Sequence, residues 1–342
     1  MRRFRLFSGL LAALALGGVA CAQPFRIVEV ASVATMPLSA LSPQTIAFSD
    51  HKGDNLADRG SGLLKFDDWA QTRLVQKRFL GLFPTYDEPT IPPAVPGGKP
   101  HKHRLHVYIA EARFALKRAP QAIDLSRYAT LAFLQRIDPA IKHKAISADD
   151  VVPNKLPQGA NRNPARRWCD GAPAPVCIDS VYKLEGKLPL GISLVNKLKE
   201  HGKKYSDTIE FQSELRVVPA AEIDDAGYRK LTGVDAPITG ALEQNIVHVN
   251  EVMQFGKFLA VFQPRPDDPG QTVVTAFMVL GVDSDLFEKK KEYADMPVLR
   301  NLVPAQLISG NSTFNTGDSI SSGLPNYARN RLKAIAEIIE KE

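Results

Sequence analysis

The chain has 342 residues, of which 44% are hydrophobic and 23% charged, and a formal net charge of +6. That length can bury a large core and suits one large domain or two small ones. Arg2, Arg3 and Arg5 lie at the extreme N-terminus with no acid among them, so the rest of the chain carries only half the net charge, and nothing in it implies a nucleic-acid partner.

Residues 1–22 read as a secretory signal peptide. The three arginines form its positive n-region, residues 6–19 its apolar stretch, and Ala20-Cys21-Ala22 the small residues that signal peptidase needs. The apolar run is too short to span a bilayer, which takes about 20 residues, and no later segment comes closer. The expected product begins at Gln23, has no transmembrane segment, and resides in the periplasm or is secreted. The alternative makes Cys21 a lipidated first residue that anchors the protein; bacterial lipoprotein signals usually carry Leu where this one has Gly18.

Further along, residues 25–33 alternate loosely and read as a strand. Residues 51–61 read as a loop, residues 66–83 as a helix, and residues 84–100, with six prolines, as an extended connection. Residues 105–145 return to order, with a helix expected over 127–136. Residues 151–167 are rich in Pro, Asn, Gly and Arg and read as a linker. They divide an N-terminal α/β subregion (23–150) from a C-terminal α+β domain (168–342).

Cys169 and Cys177 follow the linker. With Cys21 removed they are the only cysteines, and in an oxidising compartment a disulfide between them is expected. Their C-x₇-C spacing matches no zinc or redox pair, and closing so short a loop is worth about 2.5 kcal/mol.

The second half is more regular. A strand is expected over 180–187 and a helix over 191–201. In residues 209–218, Phe211, Leu215 and Val217 alternate with Gln212, Glu214 and Arg216, the pattern of a half-exposed strand. Strands are also expected over 246–252, 257–262 and 272–282, the last two joined by a long connection over 264–270. The strand over 272–282 is apolar on both faces, Val273, Phe277 and Val279 on one and Val274, Met278 and Leu280 on the other. Such a strand is covered on both sides, either by the N-terminal half of the chain or by an apolar cavity. A helix with Leu332, Ile335, Ile338 and Ile339 as its buried stripe is expected over 325–342. Its charges run mostly against the helix dipole, so packing must hold it.

Leu184-Glu185-Gly186-Lys187-Leu188-Pro189, Phe211-Gln212-Ser213-Glu214-Leu215-Arg216 and Met253-Gln254-Phe255-Gly256-Lys257, together with Asn301-Leu302-Val303-Pro304 and Gly323-Leu324-Pro325, resemble a family of exported alphaproteobacterial proteins. The resemblance implies no activity, cofactor or site. The order of elements also resembles helix-grip folds of the START type, in which an antiparallel sheet wraps a long C-terminal helix.

Candidate chemistry is sparse. Gly317-Asp318-Ser319-Ile320 resembles the nucleophile block of GDSL-type hydrolases, but no histidine follows Ser319, and a nucleophilic serine needs a positioned base. His101, His103 and His106 crowd one basic segment that reads as solvated rather than as a metal site. Asp67-Asp68, Asp149-Asp150 and Asp224-Asp225 lie near expected helix starts or turns and read as caps or solvated groups. No nucleotide-binding or metalloprotease signature occurs, so no catalytic residue, metal or cofactor is assigned.

The expected fold is therefore α+β, a mainly antiparallel sheet with a long C-terminal helix packed on it. The leading function is binding of an apolar or amphipathic small molecule, with Phe277 and Met278 as candidate ligand-binding residues. A structural or interaction protein of the envelope comes second and a hydrolase, with a base such as His248, third. Oligomeric state is left open.

Overall fold

The computed structural model of the protein describes residues 24–50, 64–65, 90–91, 101–102, 105–151, 168–183, 208–249, 253–283 and 320–342. Their strands are β1 (Arg26–Glu29), β2 (Thr45–Ser49), β3 (Leu64–Lys65), β4 (Thr90–Ile91), β5 (His101–Lys102), β6 (Leu105–Leu116), β7 (Ile141–Ala145), β8 (Val176–Lys183), β9 (Thr208–Val217), β10 (Gly240–Val249), β11 (Met253–Arg265) and β12 (Asp268–Asp283). The helices are α1 (Leu131–Ile137), α2 (Asp225–Thr232) and α3 (Ile320–Lys341).

Ten strands form one sheet in the order β1-β2-β6-β12-β11-β10-β9-β8-β7, with β3 also paired to β6. Strands β7 to β12 are a meander in which each pairs antiparallel with its sequence neighbour, the cheapest connectivity for a sheet. Among the described strand pairs only β1–β2 is parallel. Strands from before and after residues 151–167 thus share one sheet. The α+β expectation holds, with the C-terminal helix laid across one face in the helix-grip order.

Several elements differ from expectation. The 127–136 helix starts late: Leu125–Tyr128 is a 3-10 turn, and Thr130 caps α1 by accepting from the Phe133 N–H at 3.1 Å. The expected 264–270 connection is a two-residue turn at Pro266 and Asp267, because Pro264 and Pro269 are accommodated at the end of the hairpin. Strand β8 begins four residues before the expected start at 180. Helix α3 begins five residues before Pro325, which lies inside it. The helices expected over 66–83 and 191–201, the loop over 51–61 and the linker over 152–167 lie outside the described residues.

The sheet has two covered faces. The inner one carries Phe114 of β6, Val274, Met278 and Leu280 of β12 and Phe262 of β11, and packs with Leu332, Ala336 and Ile339 of α3 and Phe133 and Ile137 of α1. On the outer face the fully buried Arg113 donates to the carbonyl of Thr232, to that of Met36 at 3.3 Å and to the Thr275 hydroxyl at 3.3 Å. Burial pushes its guanidinium down to about 10. Gln263 donates to the carbonyls of Val234 and Ala236 at 3.0 and 2.8 Å. These bonds satisfy the backbone of segments that would otherwise lose water on docking. Gly233 ends α2 at φ 68°, and a side chain there would meet the Ala34 carbonyl at 2.6 Å, so only glycine fits.

Strand β9 is not half-exposed. Gln212 and Glu214 are buried as thoroughly as Phe211 and Leu215: Gln212 donates to the Asp150 carbonyl at 3.2 Å, and the cysteine loop closes over Glu214. Cys169 and Cys177 are bonded, Cα atoms 5.6 Å apart, and the Cys169 N–H donates to Glu214 at 3.0 Å. Asn245 bridges Glu214 and Glu243 at 3.1 Å each, and Glu243 pairs with Lys257 and Arg216, both at 2.6 Å. Burial pushes the Glu243 carboxyl up, but those two cations outweigh it and hold the group at about 2.

Candidate functional site

The inner face is short of side chain at its centre. Ala276 of β12 lies between Ala112 of β6 and Ala260 of β11 in register, so three methyl groups cross the middle strands where neighbouring rows carry Phe, Val and Met. Ala260 and Ala276 line the space above them, Ala112 does not, and helix α3 passes over it with Leu332, Ile335 and Ile339. The result is a cavity of about 50 Å³ walled by Phe114, Phe262, Val274, Leu215, Leu242 and the three helix residues. A site that holds benzene has roughly 150 Å³.

Two charged groups line this otherwise apolar space: Glu243 of β10, already paired with Lys257 and Arg216, and Arg331 of α3, only 4% exposed. Its Nη1 pairs with Asp138, which follows the last residue of α1, and donates to the Tyr327 hydroxyl at 2.8 Å. Its Nη2 donates to Gln244 of β10, whose own amide donates to Ser213 of β9 at 2.9 Å. The guanidinium stacks 4.0 Å over the Phe258 ring, a cation–π contact. Burial pushes its pKa down to about 9. Nε has no hydrogen-bond partner among the described residues. Taking either ion out of water costs several kcal/mol, which the pairing offsets.

The sequence leaves both partners unmarked. Arg331 is one of the early basic residues of α3 that oppose the helix dipole, yet it stands one turn after Tyr327 and one before Ile335, inside the apolar face. That i, i+4 placement was the available signal. Asp138 carries no such signal, because its role depends on where α1 ends relative to α3.

Of the residues singled out from sequence, Met278 is fully buried on the inner face and Phe277 almost so on the outer; neither touches the cavity. Asp150 completes a capping box with Ser147, as expected of a cap, whereas Asp224 at the N-cap of α2 makes no side-chain cap bond and Asp225 instead accepts from the distant Ile238 N–H at 2.9 Å. Asp67, Asp68, His103 and Ser319 lie outside the described residues, and of His101, His106 and His248 only the backbone is described. Among the described residues no group of three or more His, Cys, Asp or Glu could hold a metal ion, and no helix is long and apolar enough to cross a membrane. His143 meets Ser180 at 2.9 Å, but that serine is fully buried and unreachable by a substrate, so the contact is no nucleophile–base pair.

No family model matches the chain, and no curated protein matches it. Among solved structures, a START superfamily protein from Mycobacterium smegmatis matches over 68% of this chain and 97% of its own, at 10% identity and a TM-score of 0.31. A likeness that loose speaks for neither activity nor ligand.

Proposed function

We propose that this is an exported protein, related to the alphaproteobacterial family it resembles, that binds an apolar or amphipathic small molecule between the inner face of its sheet and helix α3. The observation that carries the reading is the alanine trough under α3, a largely apolar space lined by one buried cation, Arg331, and one buried, paired carboxylate, Glu243. At about 50 Å³ it is a seed rather than a finished pocket, so a ligand enters as α3 moves off the sheet. The exposed ion pairs near the ends of α3, such as Arg127 with Glu342, resist that little. Met278 is on the face that meets the ligand as the space widens. Export rests on the leader and on the disulfide, which persists in oxidising compartments. Residues 151–167 are proposed to separate two subregions.

A second reading follows from the size of the cavity: the chain covers both faces of its own sheet and serves as a structural or interaction protein of the envelope. Native mass spectrometry of protein purified from its own envelope separates the two. Mature chain beginning at Gln23 with a small molecule retained is expected. Ligand-free protein in every preparation rejects binding, and a diacylglycerol on Cys21 rejects release from the membrane.

A further inference from the structure

The geometry points to Arg331 as the anchor for the polar end of that molecule, and we infer that the molecule is uncharged, with a single hydrogen-bond acceptor oxygen such as a ketone, ester or hydroxyl at one end of an apolar body. The inference rests on the binding reading above and sharpens it.

Charge decides the chemical class. Arg331 is buried and already neutralised by Asp138, with Gln244 and the Tyr327 hydroxyl taking further donors. A carboxylate arriving there would sit beside Asp138 in a medium of low dielectric, where like charges repel strongly. An ammonium would meet the guanidinium. What the site lacks is one acceptor, for Nε, the buried donor without a partner among the described residues. An unpaired buried N–H costs free energy that one neutral oxygen recovers. Glu243 also lines the space but is neutralised by Lys257 and Arg216, so it offers an ammonium no free charge. The rest of the wall is almost wholly hydrocarbon, supplied by Phe262, Leu332 and Ile335 among others, so the remainder of the ligand must be apolar.

Isothermal titration of the mature chain at neutral pH with 2-octanone, octanoate and octylammonium tests this at constant chain length. The ketone should bind at least about tenfold more tightly than either ion. Two variants probe the anchor: R331M/D138N, which removes both buried charges together, and R331K, which keeps a cation for Asp138 but has no Nε–H. Each should weaken the ketone about fivefold, and the Nε–H resonance missing from R331K should shift in wild type on adding ketone. Octanoate or octylammonium binding tightest would overturn the inference and leave the binding reading intact. So would ketone binding that both variants retain unchanged. If none of the three compounds binds wild-type protein, the binding reading fails and this inference with it.

Discussion

Replacing Ala276 by valine tests whether the space over the middle strands is real. Ala276 lines the cavity and has alanine on both neighbouring strands, so the two added methyl groups enter an existing void of about 50 Å³. At roughly 24 cal/mol per Å³ such a void costs about 1.2 kcal/mol. Burying two carbons gives up to about 1.6 kcal/mol by transfer, less a fraction for the rotamer lost. Valine also suits a strand. The net expectation is a gain of about 1 kcal/mol, read as a higher urea midpoint at unchanged slope. Ala110 is the control: it is fully buried on the same face opposite Met278 but does not line the cavity. Ala110→Val should cost about 1–3 kcal/mol through overpacking. If both valines destabilise alike, α3 is packed tight on the sheet and the trough argument is wrong. Ala276→Val should also weaken 2-octanone binding, since it occupies the same volume.

The remaining expectations concern other parts of the structure. Replacing Cys169 and Cys177 together by serine should lower stability by about 2.5 kcal/mol, and labelling of the unreduced, denatured mature protein should find no free thiol; two labelled thiols would show a loop held by packing alone. Arg331→Met should cost about 3–5 kcal/mol, because it strands the buried Asp138 carboxylate, whereas R331M/D138N should lie within about 1 kcal/mol of wild type; additive losses in that cycle would mean the two groups are not coupled. Glu243 is held at about 2, below the ordinary glutamate value of 4.5. Its stabilising contribution is therefore complete above pH 4.5 and lost as pH falls toward about 2, and Glu243→Gln should flatten the stability curve in that window while lowering stability at neutral pH. Met278→Ala should cost about 2–5 kcal/mol and alter 2-octanone binding, while Phe277→Ala on the opposite face should affect stability alone; the reverse outcome would move the ligand to the outer face.

Local patterns made some of the architecture legible. The strand over 272–282 is apolar in both phases of its alternation, and a period of two admits that only where both faces are covered; the structure covers them with α3 and with the segments that Arg113 and Gln263 hold. The cysteine pair was legible from the expected compartment alone, its spacing only excluding a zinc or redox pair. The expected exposure of Gln212, Glu214 and Arg216 failed because alternation reports polarity, while burial depends on what lies opposite. The cysteine loop and Asn245 satisfy Glu214, the Asp150 carbonyl accepts from Gln212, and the carboxylates of Glu222 and Glu243 hold Arg216.

Helix α3 shows the division most clearly. Its existence, its stripe of Leu332, Ile335 and Ile339, and its dependence on packing all follow from residues three and four apart, a range over which the backbone fixes geometry. Arg331 reads locally as one more surface charge. It becomes a buried, paired donor at the rim of a cavity because the sheet brings Gln244, 87 positions away, and α1 brings Asp138, 193 away, against the same turn of helix. The trough depends likewise on register, since Ala112, Ala260 and Ala276 are unremarkable until hydrogen bonding aligns three strands. Periodicity is a property of neighbours along the chain, whereas a site forms where distant segments meet, and only the folded structure sets those distances.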